Sequence, residues 1–337
     1  MDSVAAPARR LLVIHNPVAG RRRRGLMGRV VDALRLGGAE VAVVETTGPR
    51  DAERLATLAA TGALTDGRIP DAVVAAGGDG TINEVVNGLL SAPTSHPPAL
   101  GLIPLGTANV LAAELDLPCG VADLARTLAG AAPLTIHAGR ANGRLFTMMA
   151  GVGLDAHVVE GVDPAVKRRL GKGAYVLESL AQIARWPSPR FRVVTEDAAG
   201  RRDEHEAASC IVAKGHFYGG RFVCAPQARL DEGGFQVCLF QEGGRLAALG
   251  YGAALVTGRL ARWQDKRGNG PSGLGYRVVP AVRVHIEGPV GDPVQGDGDT
   301  IARLPVDMET AAPFRVLAPP LRSVSRLSSG AEPVPGR

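Results

Sequence analysis

The sequence predicts two domains, an N-terminal α/β domain built on a parallel sheet and a C-terminal antiparallel β-sandwich. Three observations carry this. Short apolar runs alternate with helical patterns as far as Pro133, whereas from Leu134 onward strand-like runs follow one another without regular intervening helices. The interior-forming residues are small and aliphatic, 45% of the chain being apolar but only 4% aromatic, which suits α/β packing better than an aromatic-lined module. A length of 337 residues also fits two domains of ~100–200 residues each.

The strands of the first domain are read at Leu11–Ile14, Val41–Val44, Ala72–Ala76 and Leu100–Ile103, each followed by polar or Gly-bearing residues. Helical patterns follow at Leu26–Arg35, Asp51–Leu58, Ile82–Leu90 and Ala108–Leu115. Thr81-Ile82-Asn83-Glu84 fits a capping box opening the third helix, whose apolar face is Ile82, Val85, Val86 and Leu89. In the second domain strand runs are expected at Leu134–His137, Leu145–Met149, Phe191–Thr195, Ser209–Lys214, Phe235–Phe240 and Val282–Glu287, with amphipathic segments at Ala174–Trp186 and Arg245–Thr257. The expected boundaries are 9–133 and 134–312, with 313–322 able to return to the first domain and 323–337 a disordered Ser/Gly/Pro-rich tail.

A formal net charge of +5, carried almost wholly by arginine because Lys167, Lys172, Lys214 and Lys266 are the only lysines, is compatible with an anionic partner. No basic run interleaved with aromatics and no zinc-finger, helix-turn-helix or RNA-recognition pattern appears, which argues against nucleic acid. Cys119, Cys210, Cys224 and Cys238 lack metal or redox spacing and read as buried free thiols. His157, His216 and His285 lack metal-ligand spacing as well. The N-terminus shows no secretory signal, and the glycine-broken run Leu246–Leu260 falls short of the ~20 residues of a spanning helix, so a cytoplasmic protein with at most peripheral membrane contact is expected.

Gly77-Gly78-Asp79-Gly80-Thr81 lies between a buried strand and a helix, where open α/β sheets bind phosphates. Glycine lets backbone N–H groups approach phosphate oxygens, and the helix start adds partial positive charge. Asp79 brings a carboxylate suited to a magnesium contact or to accepting a proton. Two further loops belong to the same sheet edge: Asn16-Pro17-Val18-Ala19-Gly20 after the first strand, and Pro104-Leu105-Gly106-Thr107-Ala108-Asn109 after the fourth. Thr46-Thr47-Gly48, after the second strand, is another. Each alone reads as a turn; their convergence points to a site. The basic run Arg21–Arg24 reads as a solvated face or a phosphate contact.

Together with Gly151-Val152-Gly153-Leu154-Asp155-Ala156, Lys167–Gly171, Tyr218-Gly219-Gly220, Pro226 through Gly233 and Asp297-Gly298-Asp299, these loops resemble the diacylglycerol kinase catalytic-domain superfamily, in its bacterial soluble lipid kinase branch. The resemblance runs from about Leu11 to Pro319, and its glycine-rich loop alone would equally suit NAD kinases and phosphofructokinases, whose nucleotide-binding α/β fold it implies. It implies ATP and Mg²⁺ as cofactors, with ATP against Asn16, Gly20, Thr46, Gly77, Gly78, Asp79, Gly80, Thr81, Asn83, Glu84, Gly106, Thr107 and Asn109 in a cleft between the domains. It implies a membrane lipid substrate, diacylglycerol first, converted to phosphatidic acid; oligomeric state is left open, a homodimer included.

Asp299 stands where the family's D-G-E motif has glutamate as general base, with Asp79 opposite, and the shorter side chain reaches ~1.5 Å less. Val110 stands where many relatives have aspartate. The resemblance further implies a structural Mg²⁺ held by Glu232 and the backbones of Arg229 and Gly234, although relatives usually carry aspartate at the position of Glu232. Asp155 reads either as a headgroup contact or as a strand-end turn residue. The competing readings are a soluble-substrate kinase of the NAD kinase type, against which the loops at Asn16 and Asp297 stand, and a non-catalytic nucleotide or lipid sensor.

Overall fold

A computed structural model of the chain describes residues 8–20, 24–162, 178, 181–183, 188–263 and 274–321. Residues 21–23 of the basic run, Lys167–Gly171, most of Ala174–Trp186 and the 323–337 tail lie outside the described residues.

The first half runs β1 (Arg10–His15), α1 (Arg24–Leu36), β2 (Glu40–Glu45), α2 (Asp51–Ala60), β3 (Ala72–Gly77), α3 (Asp79–Ser91), β4 (Ala99–Pro104), α4 (Val110–Glu114) and α5 (Val121–Gly130). The strands form a parallel sheet in the order β2-β1-β3-β4. Because helices cover both faces, the strands read as unbroken apolar runs rather than alternating ones. Leu11 and Val13 of β1 join a core with Val30, Leu34, Leu124 and Leu128, while Leu12 and Ile14 join one with Leu55, Ile82, Val85 and Val86 on the opposite face. The α5 helix, absent from the sequence expectation, closes the first of these cores with Leu124, Ala125 and Leu128.

The second half continues with β5 (Pro133–Ala141), β6 (Arg144–Phe146), β7 (Met149–Val152), α6 (Leu154–Gly161), β8 (Phe191–Glu196), β9 (Arg202–Ala207), β10 (Ser209–Ala213), β11 (Phe217–Tyr218), β12 (Phe222–Val223), β13 (Phe235–Phe240), α7 (Arg245–Val256), α8 (Leu260–Trp263), β14 (Tyr276–Ala281), β15 (Arg283–Glu287), β16 (Pro293–Gly296), β17 (Asp299–Arg303) and β18 (Val306–Leu317). One face of the sandwich is the antiparallel sheet β14-β13-β10-β7-β16-β17. It packs through Val152, Cys210, Val212, Val237, Leu239 and Val294 against Phe191, Val193, Val284, Ile286, Val306 and Met308 of the other face.

That other face is not a separate sheet. The twelve-residue β18 pairs antiparallel with β5 and β15 and, at Val316 opposite Leu100, parallel with β4. Phe314–Leu317 thus returns to both halves at once, and the parallel sheet runs on into the sandwich. This continuity sets the carboxyl edge of β3, where α3 begins, against the β16–β17 turn. Of the four cysteines, Cys210, Cys224 and Cys238 are buried free thiols; Cys119 is exposed, because it sits in the turn between α4 and α5 rather than in a strand.

Candidate active site

The third helix opens three residues earlier than its sequence suggests. Gly78, extended at φ −94°, is its N-cap, and no side chain caps it. The Thr81–Glu84 pair therefore lies inside the first turns and does other work. Thr81 Oγ1 accepts a 3.0 Å hydrogen bond from Asn16 Nδ2, and the Glu84 carboxylate accepts from the N–H groups of Arg50 at 2.9 Å and Ala52 at 3.2 Å. An uncapped start leaves the first N–H groups of α3 aimed at the loop region, the arrangement that favours an anion.

The loops named from sequence meet there. Asn16 N–H donates to the Ala76 carbonyl, and the Asn16 side chain closes its own turn by accepting from Val18 N–H at 3.1 Å. Gly20, at φ +62°, lies against the Leu105 carbonyl, with no room for a β-carbon. The N–H groups of Leu105 and Gly106 both reach the Gly77 carbonyl, at 2.8 and 3.2 Å. A β-carbon on Gly106 would stand 2.6 Å from the Gly78 α-carbon, so the two glycine loops touch backbone to backbone. Thr46 sits at the end of β2, its N–H on the His15 carbonyl, and Thr107 is exposed on its loop.

Asp79 binds these pieces together. Its carboxylate accepts from Asn109 N–H at 2.9 Å and Val110 N–H at 2.7 Å, holding the start of α4. Val110 thus contributes a backbone donor, while its side chain is buried. Asn109, at φ +50°, uses Nδ2 to fix the Gly106 carbonyl at 2.8 Å. Burial raises the Asp79 carboxyl from its usual value to about 6, the neighbouring Asp297 charge adding to the rise and the N–H donors opposing it.

Asn83 does not face the nucleotide loops. It is 6% exposed, and its Nδ2 is spent on the Leu145 carbonyl and on Asp297 Oδ2, both at 2.9 Å, while its Oδ1 accepts from Asn87. Its place on the core side of α3 makes it a strut between that helix, β6 and the β16–β17 turn. Glu84, likewise expected at the nucleotide, instead clamps the start of α2 by the two N–H contacts described above.

The Asp297-Gly298 turn has both residues at positive φ, 53° and 89°, as a two-residue turn of the I′ kind requires. The Asp297 carboxylate accepts from Asn83 Nδ2, Thr147 N–H and Oγ1–H, Met148 N–H and Met149 N–H, at 2.6–3.2 Å. Such a saturated carboxylate is an anchor. Asp299, the next acidic residue, opens β17 exposed, with Oδ2 only 2.8 Å from where a β-carbon on Gly80 would stand. The second half of the chain therefore delivers a carboxylate to the first turn of α3.

Asp155, near the start of α6, accepts from Tyr218 Oη–H and from Gln295 Nε2 at 2.7 Å, and burial holds its carboxyl above the usual range. Gln295, 2% exposed, accepts the Gly298 N–H at 3.1 Å, so Asp155 is linked to the base of the Asp299 turn. Gln295 escaped sequence reading because a lone glutamine in a strand carries no signature.

The expected structural metal site is not one. The two expected backbone carbonyls do converge, joined by that of Glu232, but on the Nζ of Lys214: Arg229 O at 3.2 Å, Glu232 O at 2.6 Å and Gly234 O at 2.9 Å. The Glu232 side chain, cast as a ligand, is 65% exposed and pairs with Arg229 Nε at 2.7 Å. With an ammonium already inside the cage, a magnesium ion does not fit these residues. Among the described residues no group of three or more His, Cys, Asp or Glu side chains is arranged to hold a metal.

Comparison with known proteins identifies the family of each half. Residues 10–141 match the family described as "Diacylglycerol kinase catalytic domain", and residues 148–317 match "YegS C-terminal NAD kinase beta sandwich-like domain". The chain is 33% identical over 236 residues to a protein named "Diacylglycerol kinase" from Bacillus subtilis strain 168, covering 69% of this chain and 74% of that one. It is 34% identical over 224 residues to a "Probable lipid kinase YegS-like" of Pseudomonas aeruginosa strain PAO1, covering 66% and 69%. A crystal structure described as a diacylglycerol kinase from Bacillus anthracis strain Sterne superposes with a TM-score of 0.70 over 94% of this chain and 99% of that one, a likeness in fold at 24% identity. With both halves matched in order, the chain belongs to the diacylglycerol kinase catalytic-domain family, in the branch whose second half is the YegS-type β-sandwich.

Proposed function

We propose that the protein is an ATP-dependent lipid kinase that transfers the γ-phosphoryl group to the hydroxyl of a membrane lipid, diacylglycerol being the leading substrate and phosphatidic acid its product. The observation that carries the reading is the approach of Asp299 to Gly80 at the uncapped start of α3. Phosphates of ATP would rest on the backbone of the Gly77–Thr81, Asn16–Gly20 and Gly106–Asn109 loops, and Asp299 would take the proton of the acceptor hydroxyl. Phosphoryl transfer asks mainly for positioning and charge stabilisation, which backbone donors and one base supply.

Asp79 offers hard carboxylate oxygens of the kind that share a magnesium ion with substrate phosphates, so the residues present fit that metal at the nucleotide. When bound, the metal neutralises charge on the transferring phosphoryl group.

Peripheral membrane contact is supported by α7, which exposes Leu246, Leu249 and Val256 and contains no acidic residue. Among the described residues no helix is long and apolar enough to cross a membrane.

Incubation of the full chain with γ-labelled ATP and either a total lipid extract or NAD tests the reading, with the product identified by mass. A labelled lipid is expected, and Asp299→Ala is expected to abolish it while remaining folded. Labelling of NAD alone, or a fully active Asp299→Ala enzyme, would overturn the assignment.

A further inference from the structure

Lys214 follows β10 and is 1% exposed, which for a lysine requires that its charge be met inside the protein. The three carbonyl oxygens of Arg229, Glu232 and Gly234, at 2.6–3.2 Å, match the three N–H bonds of an ammonium group one for one. The neighbouring carboxylates are engaged elsewhere. Asp231 pairs with Arg229 Nη2 at 2.6 Å, and Glu232 pairs with Arg229 Nε at 2.7 Å. The cage is thus built of neutral backbone oxygens around one buried positive charge.

We infer that the Lys214 ammonium is a covalently attached internal cation that takes the place of a divalent metal in the 229–234 turn, so that this turn keeps its shape without any metal ion. The donor set is the one a hard cation would use, oxygen atoms only, and the lysine fills it. A tethered cation neither dissociates nor depends on free ion concentration, unlike a bound ion, whose stabilising effect follows mass action.

The turn so held lies between both sheets. Leu230 O accepts from His137 N–H of β5 at 2.8 Å, and Gly234 N–H donates to Thr310 Oγ1 of β18 at 2.8 Å. The Lys214 backbone N–H reaches Met148 O at 2.8 Å, and Met148 N–H in turn donates to Asp297 Oδ1 at 2.9 Å. Lys214 therefore braces the same backbone that anchors the Asp297-Gly298 turn. The inference concerns stability and stands apart from the kinase reading.

The test is thermal unfolding of the purified full chain, without nucleotide, in EDTA, in millimolar MgCl₂ and in millimolar CaCl₂, together with elemental analysis for bound metal. Wild type is expected to unfold within about 2 °C in all three and to carry no stoichiometric divalent ion. Lys214→Met leaves three buried carbonyls unpaired and is expected to lower the midpoint by roughly 10 °C, with Lys214→Gln, which keeps two N–H donors, falling between. One divalent ion per chain or a clear loss of stability on chelation, where either persists in Asp79→Asn, or a Lys214→Met protein as stable as wild type, would each overturn the inference. Should Lys214→Met fail to fold, the chelation series and metal analysis decide alone.

Discussion

The Asp299 carboxylate occupies the space that a side chain on Gly80 would need, 2.8 Å separating Oδ2 from the β-carbon position. Gly80 lies in the first turn of α3, where its backbone is helical and alanine is acceptable. Gly80→Ala should therefore fold as well as wild type or gain up to ~1 kcal/mol from helix propensity. The exposed Asp299 side chain gives way, and a displacement of ~1 Å in a positioning-dominated reaction costs about 10²-fold in kcat. Thermal unfolding and turnover measured on the same preparation check this; an active Gly80→Ala enzyme would mean that the seat of Asp299 against α3 is irrelevant.

Asp299 itself should respond to charge rather than to shape. Because it is exposed, Asp299→Asn is expected to alter stability by less than ~0.5 kcal/mol. On the proposed function its carboxylate is the base, and losing it should lower kcat by about 10²–10⁴-fold. Asp299→Glu keeps a carboxylate on a turn fixed by Asp297, reaching ~1.5 Å further, and should retain far more activity than Asp299→Asn. Equal activity of the Asn and Glu variants would show that proton transfer does not pass through this position.

Burial sets the pH dependence of Asp79. Its carboxyl is raised from 3.8 to about 6 in the fold, so the folded chain holds this proton more tightly than the unfolded chain does. Its contribution to stability is thus present at low pH and drains away as pH rises through 6. On the proposed function activity runs the opposite way, since the ionised form is the one that would serve a metal and is the better acceptor for the N–H groups of Asn109 and Val110. The pH profile of kcat/KM should show an acidic limb near 6, and a profile flat down to pH 5 would remove Asp79 from the free enzyme's essential groups.

The parallel strands and the loops at Asn16, Gly77 and Pro104 were legible because a strand buried on both faces leaves an unbroken apolar run, and glycine marks where backbones must approach. The start of α3 was not, since Thr81 and Glu84 carry the letters of a capping box while Gly78, three residues ahead of Thr81, takes the N-cap. Asn83 entered the nucleotide contacts only through the family resemblance, and helical geometry turns it to the core side. Strand pairing has no local signature, so the late apolar run in 313–322 was legible as a return to the first domain, but not as the end of one strand, Val306–Leu317, that joins both halves. Lys214 was visible as a lysine ending an apolar run in a chain with four lysines. Its partners lie 15 to 20 residues away and are backbone atoms, which sequence does not display.

Gln295 offers the sharpest separation of positioning from binding. It donates to Asp155 and accepts from Gly298, joining the α6 carboxyl to the turn ahead of Asp299. Gln295→Leu keeps the volume but strips both bonds, leaving Asp155 with Tyr218 and the Gly298 N–H without its acceptor. A stability loss of ~2–3 kcal/mol follows from unpaired buried polar groups. The loops at Asn16, Gly77 and Gly106 are untouched, so KM for ATP should hold while kcat falls about tenfold as the base turn loosens. Gln295→Glu sets a second carboxyl beside Asp155, which favours a shared proton, and its activity should improve on acidification relative to wild type. A rise in KM for ATP with kcat unchanged would show instead that Gln295 acts on the nucleotide side of the site.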